Sequence, residues 1–204
     1  MAKDNKALKD RELTENRILE AVGDIISNEG FEKLGVNIVA QKAGVSKMLI
    51  YRYFGGLDEL IAKYILQKDY WINITANPKK AANISLHIKQ LFREQIAQLR
   101  KDITLKRLYR WELSTNNPIT NQLRKKREEN GCYLIKVVSE LTQSSQKEIA
   151  SLASILSASI SYLALLEELN PIYNGIDLQS DKGWEQIAQG IDLIIDLWIQ
   201  NIRK

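Results

Sequence analysis

The chain is expected to be all-α, on three observations. Apolar residues recur at helical spacing along nearly the whole length, as in Ile18, Ala21, Val22, Ile25 and Ile26. Pro occurs only 3 times in 204 residues, so helix interiors are seldom interrupted. No region reads as strand-rich, and no internal repeat is visible. A hydrophobic content of 45% with 26% charged residues is that of a globular protein, long enough for one generous domain or two small ones on a shared helical frame.

The elements follow in order. Thr14, with Glu15 in the first turn, is expected to open a helix that Gly30 ends as a left-handed cap. A short helix is expected over Val36–Ala43, with Val39, Ala40 and Ala43 inward, and a second from Ser46 to about Phe54. After Gly55-Gly56, acidic Asp58 and Glu59 suit the N-terminus of a longer helix reaching about Thr75. Asn77-Pro78 and Asn117-Pro118 each place an N-cap residue before a Pro at the first helical position, so helices are expected over about 78–100 and 118–142. One more lies near 103–114, and two final helices cover about 146–169 and 181–202. NPIYNGIDLQSD, between those two, reads as a loop by its Pro, Gly and Asn content.

Charge and cysteine usage narrow the function classes. Cys132 is the single Cys, which rules out an intrachain disulfide and a multi-cysteine metal site and fits a reducing, cytoplasmic setting. MAKDNKALKDRELTENR lacks the apolar core of a secretion signal. Residues 79–136 hold 14 Lys and Arg against 5 Asp and Glu, 14 − 5 = +9, whereas residues 137–204 hold 4 against 9, 4 − 9 = −5. Lys33 to Phe54 carries four basic residues and no acid, a strip suited to polyphosphate. One His, one Cys, no GxSxG, no phosphate-cradling Gly loop and no metal-ligand cluster argue against an enzyme, and no cofactor or metal is expected.

GVSKMLIYRYF, residues 44–54, concentrates the functional signal. Helix, three-residue turn, helix is the spacing of a helix-turn-helix. Gly44 permits the reversal, Val45 plugs the gap, and Ser46 caps the second helix. Ile50 and Phe54 share an inward face, which leaves Lys47, Tyr51, Arg52 and Tyr53 on or beside the outward one. Lys and Arg neutralise phosphate or reach guanine, and Tyr hydroxyls donate to phosphate oxygens. Helical proteins without DNA also use this geometry, with such tyrosines as packing residues.

VNIVAQKAGVSKMLIYRYFGGLDELI resembles the DNA-binding signature of the TetR family of bacterial transcriptional regulators, over about residues 14–65. The matched features are the Val-Ala pair before AGVS, the Tyr-x-Tyr-Phe close and the acidic-Leu start of the next helix. The resemblance implies a helix-turn-helix DNA-binding domain over residues 1–56 and a helical ligand-binding and dimerisation domain over 57–204. It implies a base or phosphate contact for Asn37, with Lys47, Met48 and Leu49 at the leading end of the recognition helix beside Ser46. Tyr51 and Tyr53 take phosphate contacts, and Arg52 a base-edge or phosphate contact. Gly35, Met48 and Leu57 depart from the family's usual capping Thr, Gly and phosphate-binding Lys.

Residues 149–166 contain no charge, which is the threshold length of a membrane span. Five Ser dilute the stretch and two acids follow at once, so a dimer interface is expected in place of a membrane contact. The final helix is similarly apolar, and Ile155, Ser157, Ser161, Trp184, Ile191, Ile195 and Trp198 are the interface candidates. A two-fold protein presents two recognition helices to a pseudo-palindromic site. The resemblance further implies a ligand pocket among the helices between 57 and 169, for which Tyr64, Trp71, His87, Phe92, Tyr109, Trp111 and Glu112 are candidates, with the helix after Leu57 as lever. The expected function is thus a cytoplasmic, ligand-responsive repressor acting as a homodimer on operator DNA. A DNA-anchored adaptor that recruits a protein, or a helical carrier without DNA binding, are the alternatives.

Overall fold

Thr14 does not start the first helix. In a computed structural model describing residues 2–73 and 83–202, with side chains from Leu8 onward, helix α1 runs Ala2–Glu29. Good helix formers fill the segment before Thr14, whose hydroxyl donates back to the Asp10 carbonyl at 2.8 Å inside the helix. A cap-type residue proved to be an interior one because its neighbours on both sides sustain the helix. The other α-helices are α2 (Val36–Ala43), α3 (Lys47–Phe54), α4 (Leu57–Lys68), α5 (Tyr70–Asn73), α6 (Ile84–Lys101), α7 (Ile103–Ser114), α8 (Pro118–Thr142), α9 (Gln146–Leu166) and α10 (Asp181–Ile202). The chain is all-α apart from one short hairpin, and it divides into two compact units, Met1–Asp69 with Ile103–Arg124 and Tyr70–Asp102 with Lys125–Lys204.

Three boundaries differ from expectation. The helix expected from Leu57 to Thr75 breaks at Asp69, which is fully buried with extended backbone, so α5 is a separate turn. α6 is capped by the Asn83 side chain, which accepts from the Leu86 amide at 3.2 Å. The start expected at Asn77-Pro78 lies outside the described residues. Between α9 and α10 the expected loop contains β1 (Ile172–Tyr173) and β2 (Ile176–Asp177), antiparallel with Tyr173 opposite Ile176. Asn174 and Gly175 both have positive φ, 50° and 79°, which is the two-residue turn that matches strand twist. α8 begins as expected: the Asn117 side chain accepts from the Thr120 amide at 2.9 Å, and the Thr120 hydroxyl accepts from the Asn117 amide at 3.1 Å.

In the first unit α1 supplies the core. Ile18, Val22, Ile25 and Ile26 are fully buried, each contributing about 1.5–3 kcal/mol by burial. α1 packs against α2, α4 and α7, whose buried residues include Val39, Ala40 and Ala43 on α2, Leu60, Ile61 and Ile65 on α4, and Leu105 and Leu108 on α7. A single 3₁₀ turn, Phe31–Lys33, follows α1, and Phe31 stacks on Trp111 with ring centroids 4.6 Å apart. Gly30 has φ 92° but ψ 171°, so it ends α1 with a positive φ outside the left-handed helical region.

In the second unit α6 packs between α9 and α10. Gln95, fully buried on α6, donates through Nε2 to the Ser157 hydroxyl at 3.1 Å and the Ser161 hydroxyl at 3.3 Å. The other seam is ionic: the Arg93 guanidinium donates to Glu185 at 2.9 Å and Asp192 at 2.7 Å, and Lys89 pairs with Asp196 at 2.6 Å. These bonds hold the Arg93 guanidinium even further above neutrality than usual and the Glu185 and Asp196 carboxyls below their ordinary range. α9 is long and apolar enough to cross a membrane by length and composition, with mean hydropathy 1.9. Its inward residues Ile149, Leu156, Ile160 and Ala164 belong to the unit's core.

The hairpin is locked to α10. Trp184, buried, donates its indole N–H to the Leu178 carbonyl at 2.7 Å and to Glu167 at 3.1 Å. Gly183 lies so close that a Cβ there would collide with the Asp177 carbonyl oxygen. Gly183→Ala should therefore lower stability by about 1–3 kcal/mol, read as a lower melting temperature. An unchanged transition would show that the hairpin shifts freely.

Candidate nucleic-acid interface

α3 is too short to persist alone, so its outward residues depend on what anchors it. Gly44 ends α2 in the left-handed region, φ 62° and ψ 40°, and the Val45 amide donates to the Ala40 carbonyl at 3.0 Å. That turn delivers Ile50 and Phe54 to the buried side, beside the buried Val39 and Ala43 of α2. Their phase on an eight-residue helix dictates the opposite face. Ser46, Lys47, Met48, Tyr51 and Arg52 are exposed, Met48 at 76%, and Leu49 and Tyr53 are half-buried. Asn37, on α2, is exposed.

Ser46 sits at the N-cap with extended backbone, but its hydroxyl makes no capping bond. The expectation of a side-chain cap is corrected here, since the helix start is carried by the Leu49 amide bonding to the Ser46 carbonyl at 3.0 Å. Ser46 itself is exposed. Of the four cations between Lys33 and Phe54, Lys42 lies 3.7 Å from Asp24. Lys47 and Arg52 have no carboxylate partner among the described residues.

Tyr53 is the best-supported side chain on this face. Arg52 donates to its phenol oxygen at 3.1 Å and lies 5.0 Å from the ring centroid, and Arg11 of α1 lies 5.1 Å from the same centroid. With the oxygen accepting from Arg52, the phenol proton is free to donate outward. Arg11 in turn pairs with Glu15 at 2.7 Å, and Glu15 with Lys63 of α4 at 2.8 Å. Sequence reasoning missed Arg11 and Lys63. The four-residue Arg11–Glu15 spacing was visible, but the approach of Tyr53 and Lys63 is a product of tertiary packing.

The expected ligand-pocket residues are not brought together. Tyr64 is buried in the first unit, close enough to Gly23 that a Cβ there would lie 2.8 Å from its hydroxyl. Trp111 stacks on Phe31 and with it lines a separate, open depression of the first unit beside Arg107 and Arg110, Tyr109 is half-buried on α7, and the buried Glu112 meets Arg124 at 3.3 Å. His87, half-buried on α6, has an Nε2 atom buried without a hydrogen-bond partner among the described residues and is not among the residues that line the cavity of the second unit. Trp71 and Phe92 do line that cavity, which measures about 90 Å³.

The expected interface residues also divide. Ile155 is 67% exposed, but Trp184, Ile191 and Ile195 are buried in the second unit, and Ser157 and Ser161 bond to Gln95. Ile195 and Trp198 line the cavity, so α10, beyond the residue 169 limit expected for the pocket, contributes to it. Both final helices are apolar on two sides, and spacing alone does not tell which side is inward. Tyr162, Leu193, Ile194 and Leu197 are the exposed ones that share the outer surface with Ile155. The exposed Cys132 thiol is pushed up by its hydrogen bond to Glu128, which disfavours the reactive thiolate.

Residues 18–64 match the family described as bacterial regulatory proteins, tetR family. No curated protein matches the sequence. Among solved structures, a TetR family transcription regulator from Marinobacter aquaeolei VT8 is 15% identical with a TM-score of 0.66, covering 94% of this chain and 97% of its own. The fatty acid degradation regulator FadR from Bacillus halodurans is 18% identical with a TM-score of 0.63, covering 89% and 94%. Salmonella enterica GusR is 14% identical with a TM-score of 0.65, covering 90% and 95%. At these identities the likeness is one of fold.

Glu15 offers a test of the α1–α3–α4 junction. Partial burial raises its carboxyl, but the bonds from Lys63 and Arg11 outweigh that and hold it below the ordinary carboxylate value. The stability it contributes is therefore complete above that ordinary value and is lost as pH falls through the lower folded value. Glu15→Gln should cost about 1 kcal/mol at neutral pH, the half-exposed partners keeping it small, and nothing in acid well below the carboxylate range. Urea titrations at both pH values check this, and a gap that persists in acid would mean that packing is responsible.

Proposed function

We propose that this chain, whose head and all-helical fold are those of the tetR family of bacterial regulators, is a cytoplasmic, ligand-responsive repressor that binds a pseudo-palindromic operator as a homodimer. The DNA-binding head is assigned to residues 1–56 and the ligand-binding and dimerisation body to 57–204. The observation that carries the reading is the outward face of α3: exposed Lys47, Met48, Tyr51 and Arg52, with two cations that no carboxylate neutralises among the described residues. Lys47 and Met48 lead the helix into the major groove, with Ser46 and Leu49 beside them. Tyr51 and Tyr53 reach phosphates, and Asn37 and Arg52 each a base edge or phosphate. Arg11, held at the Tyr53 ring by Glu15, adds a phosphate contact from α1.

Dimerisation uses the outward apolar residues of α9 and α10, Ile155, Tyr162, Leu193, Ile194 and Leu197, packed against the same residues of a second copy in a four-helix interface. That face of α9 meets protein, not lipid. The effector is a small molecule that occupies the cavity of the second unit and binds one spacing of the two heads better than the other, since only differential affinity shifts the equilibrium. The cavity favours this over the recruitment of a protein partner.

Lys47→Ala and Arg52→Ala should each weaken binding to a duplex selected from random sequences by about 1 kcal/mol or more, and Arg11→Ala should lower the salt slope by about 1. Anisotropy titrations against salt concentration measure both, with helical content and dimer mass unchanged. Full affinity in both α3 variants would overturn the recognition surface. Leu197→Lys should yield folded monomers in sedimentation, whereas an unchanged dimer would place the interface elsewhere.

A further inference from the structure

We propose that the cavity of the second unit accepts small uncharged hydrocarbon-like molecules and rejects carboxylates and ammonium ions of the same size. The cavity itself stands on geometry, and its consequence for DNA rests on the regulator reading above. Its walls come from α5, α6, α8, α9 and α10, with Trp71, Phe92, Val138, Leu156 and Trp198 representative of each. All the described lining residues are aliphatic or aromatic. The one polar group whose partner is known, the Trp198 indole N–H, already donates to the Glu148 carboxylate at 3.1 Å.

Charge selection follows from desolvation. An ion entering these walls leaves its water and finds no side chain of opposite charge among the described lining residues. Glu148, exposed near one wall, repels an anion, and its attraction for an ammonium ion is screened by solvent and does not offset that ion's desolvation. An uncharged apolar molecule gives up little hydration and gains contacts along a wall that water wets poorly. The volume, about 90 Å³, is on the order of three water volumes, room for a compact group of a few carbons. Ala153, a wall residue on α9, is where the cavity can be filled without touching the head.

The full chain is titrated with cyclopentane, cyclopentanecarboxylate and cyclopentylammonium, reading tryptophan emission and melting temperature. Cyclopentane should change the emission saturably and raise the melting temperature, with both ions at least tenfold weaker. Ala153→Leu should abolish the cyclopentane response while keeping the helical spectrum; should that variant not fold, Leu152→Phe takes its place. An ion that binds within tenfold of the hydrocarbon, or a filled variant with the full response, overturns the proposal. Duplex binding of the ligand-free protein is measured in parallel. Its absence beside an intact hydrocarbon response would sink the regulator reading alone, and its presence beside an unselective cavity would sink this one alone.

Discussion

Burial of one face of α1 is the constraint on which the proposed recognition surface depends. Ile18, Val22, Ile25 and Ile26 are fully buried on a helix that packs against α2, α4 and α7. α3 has eight residues and persists only because Ile50 and Phe54 lie on the buried side of that assembly. The orientation of Lys47, Tyr51 and Arg52 is thus set by apolar contacts on the opposite side of their helix. Polar bonds refine it at one point, where Glu15 ties Arg11 and Lys63 together beside Tyr53.

The uneven charge along the chain acquires a meaning in the fold. The leading part of the basic segment and the acidic segment 137–204 meet within the second unit, where Lys89, Arg93 and Arg100 pair with Asp196, Glu185, Asp192 and Asp181. Three cations of the strongest basic stretch in the sequence are therefore spent on pairs within the fold. Lys47 and Arg52, in a segment of near-neutral overall balance, face outward without carboxylate partners among the described residues. Net charge per segment is a weaker guide to a polyanion surface than the pairing of individual cations.

The second unit compromises between packing and openness. Gln95 meets two serines of α9 in an otherwise apolar layer, and the ionic seam fixes α6 against α10. With those contacts holding three helices, the unit tolerates a void beside them. The same two-sided apolarity of α9 and α10 that lines this void also leaves Ile155, Leu193 and Leu197 outside.

Local chemistry by itself determined the all-helical class, the three-residue turn at Gly44, the Asn117-Pro118 start of α8, and the side of α3 that faces out. Each depends on spacing or on a cap within a few residues, and the chain carries that information directly. The Asn174-Gly175 hairpin was equally local and was overlooked among the loop residues around it. Tertiary structure alone decided that Trp184, Ile191 and Ile195 point inward while Leu193 and Leu197 do not. It also decided that Trp71 and Phe92 share a cavity with Trp198, while Tyr64 and Trp111 pack in the first unit. A helix apolar on two sides has no preferred inward face until its neighbours take one, and aromatic residues far apart in sequence have no common site until the chain folds.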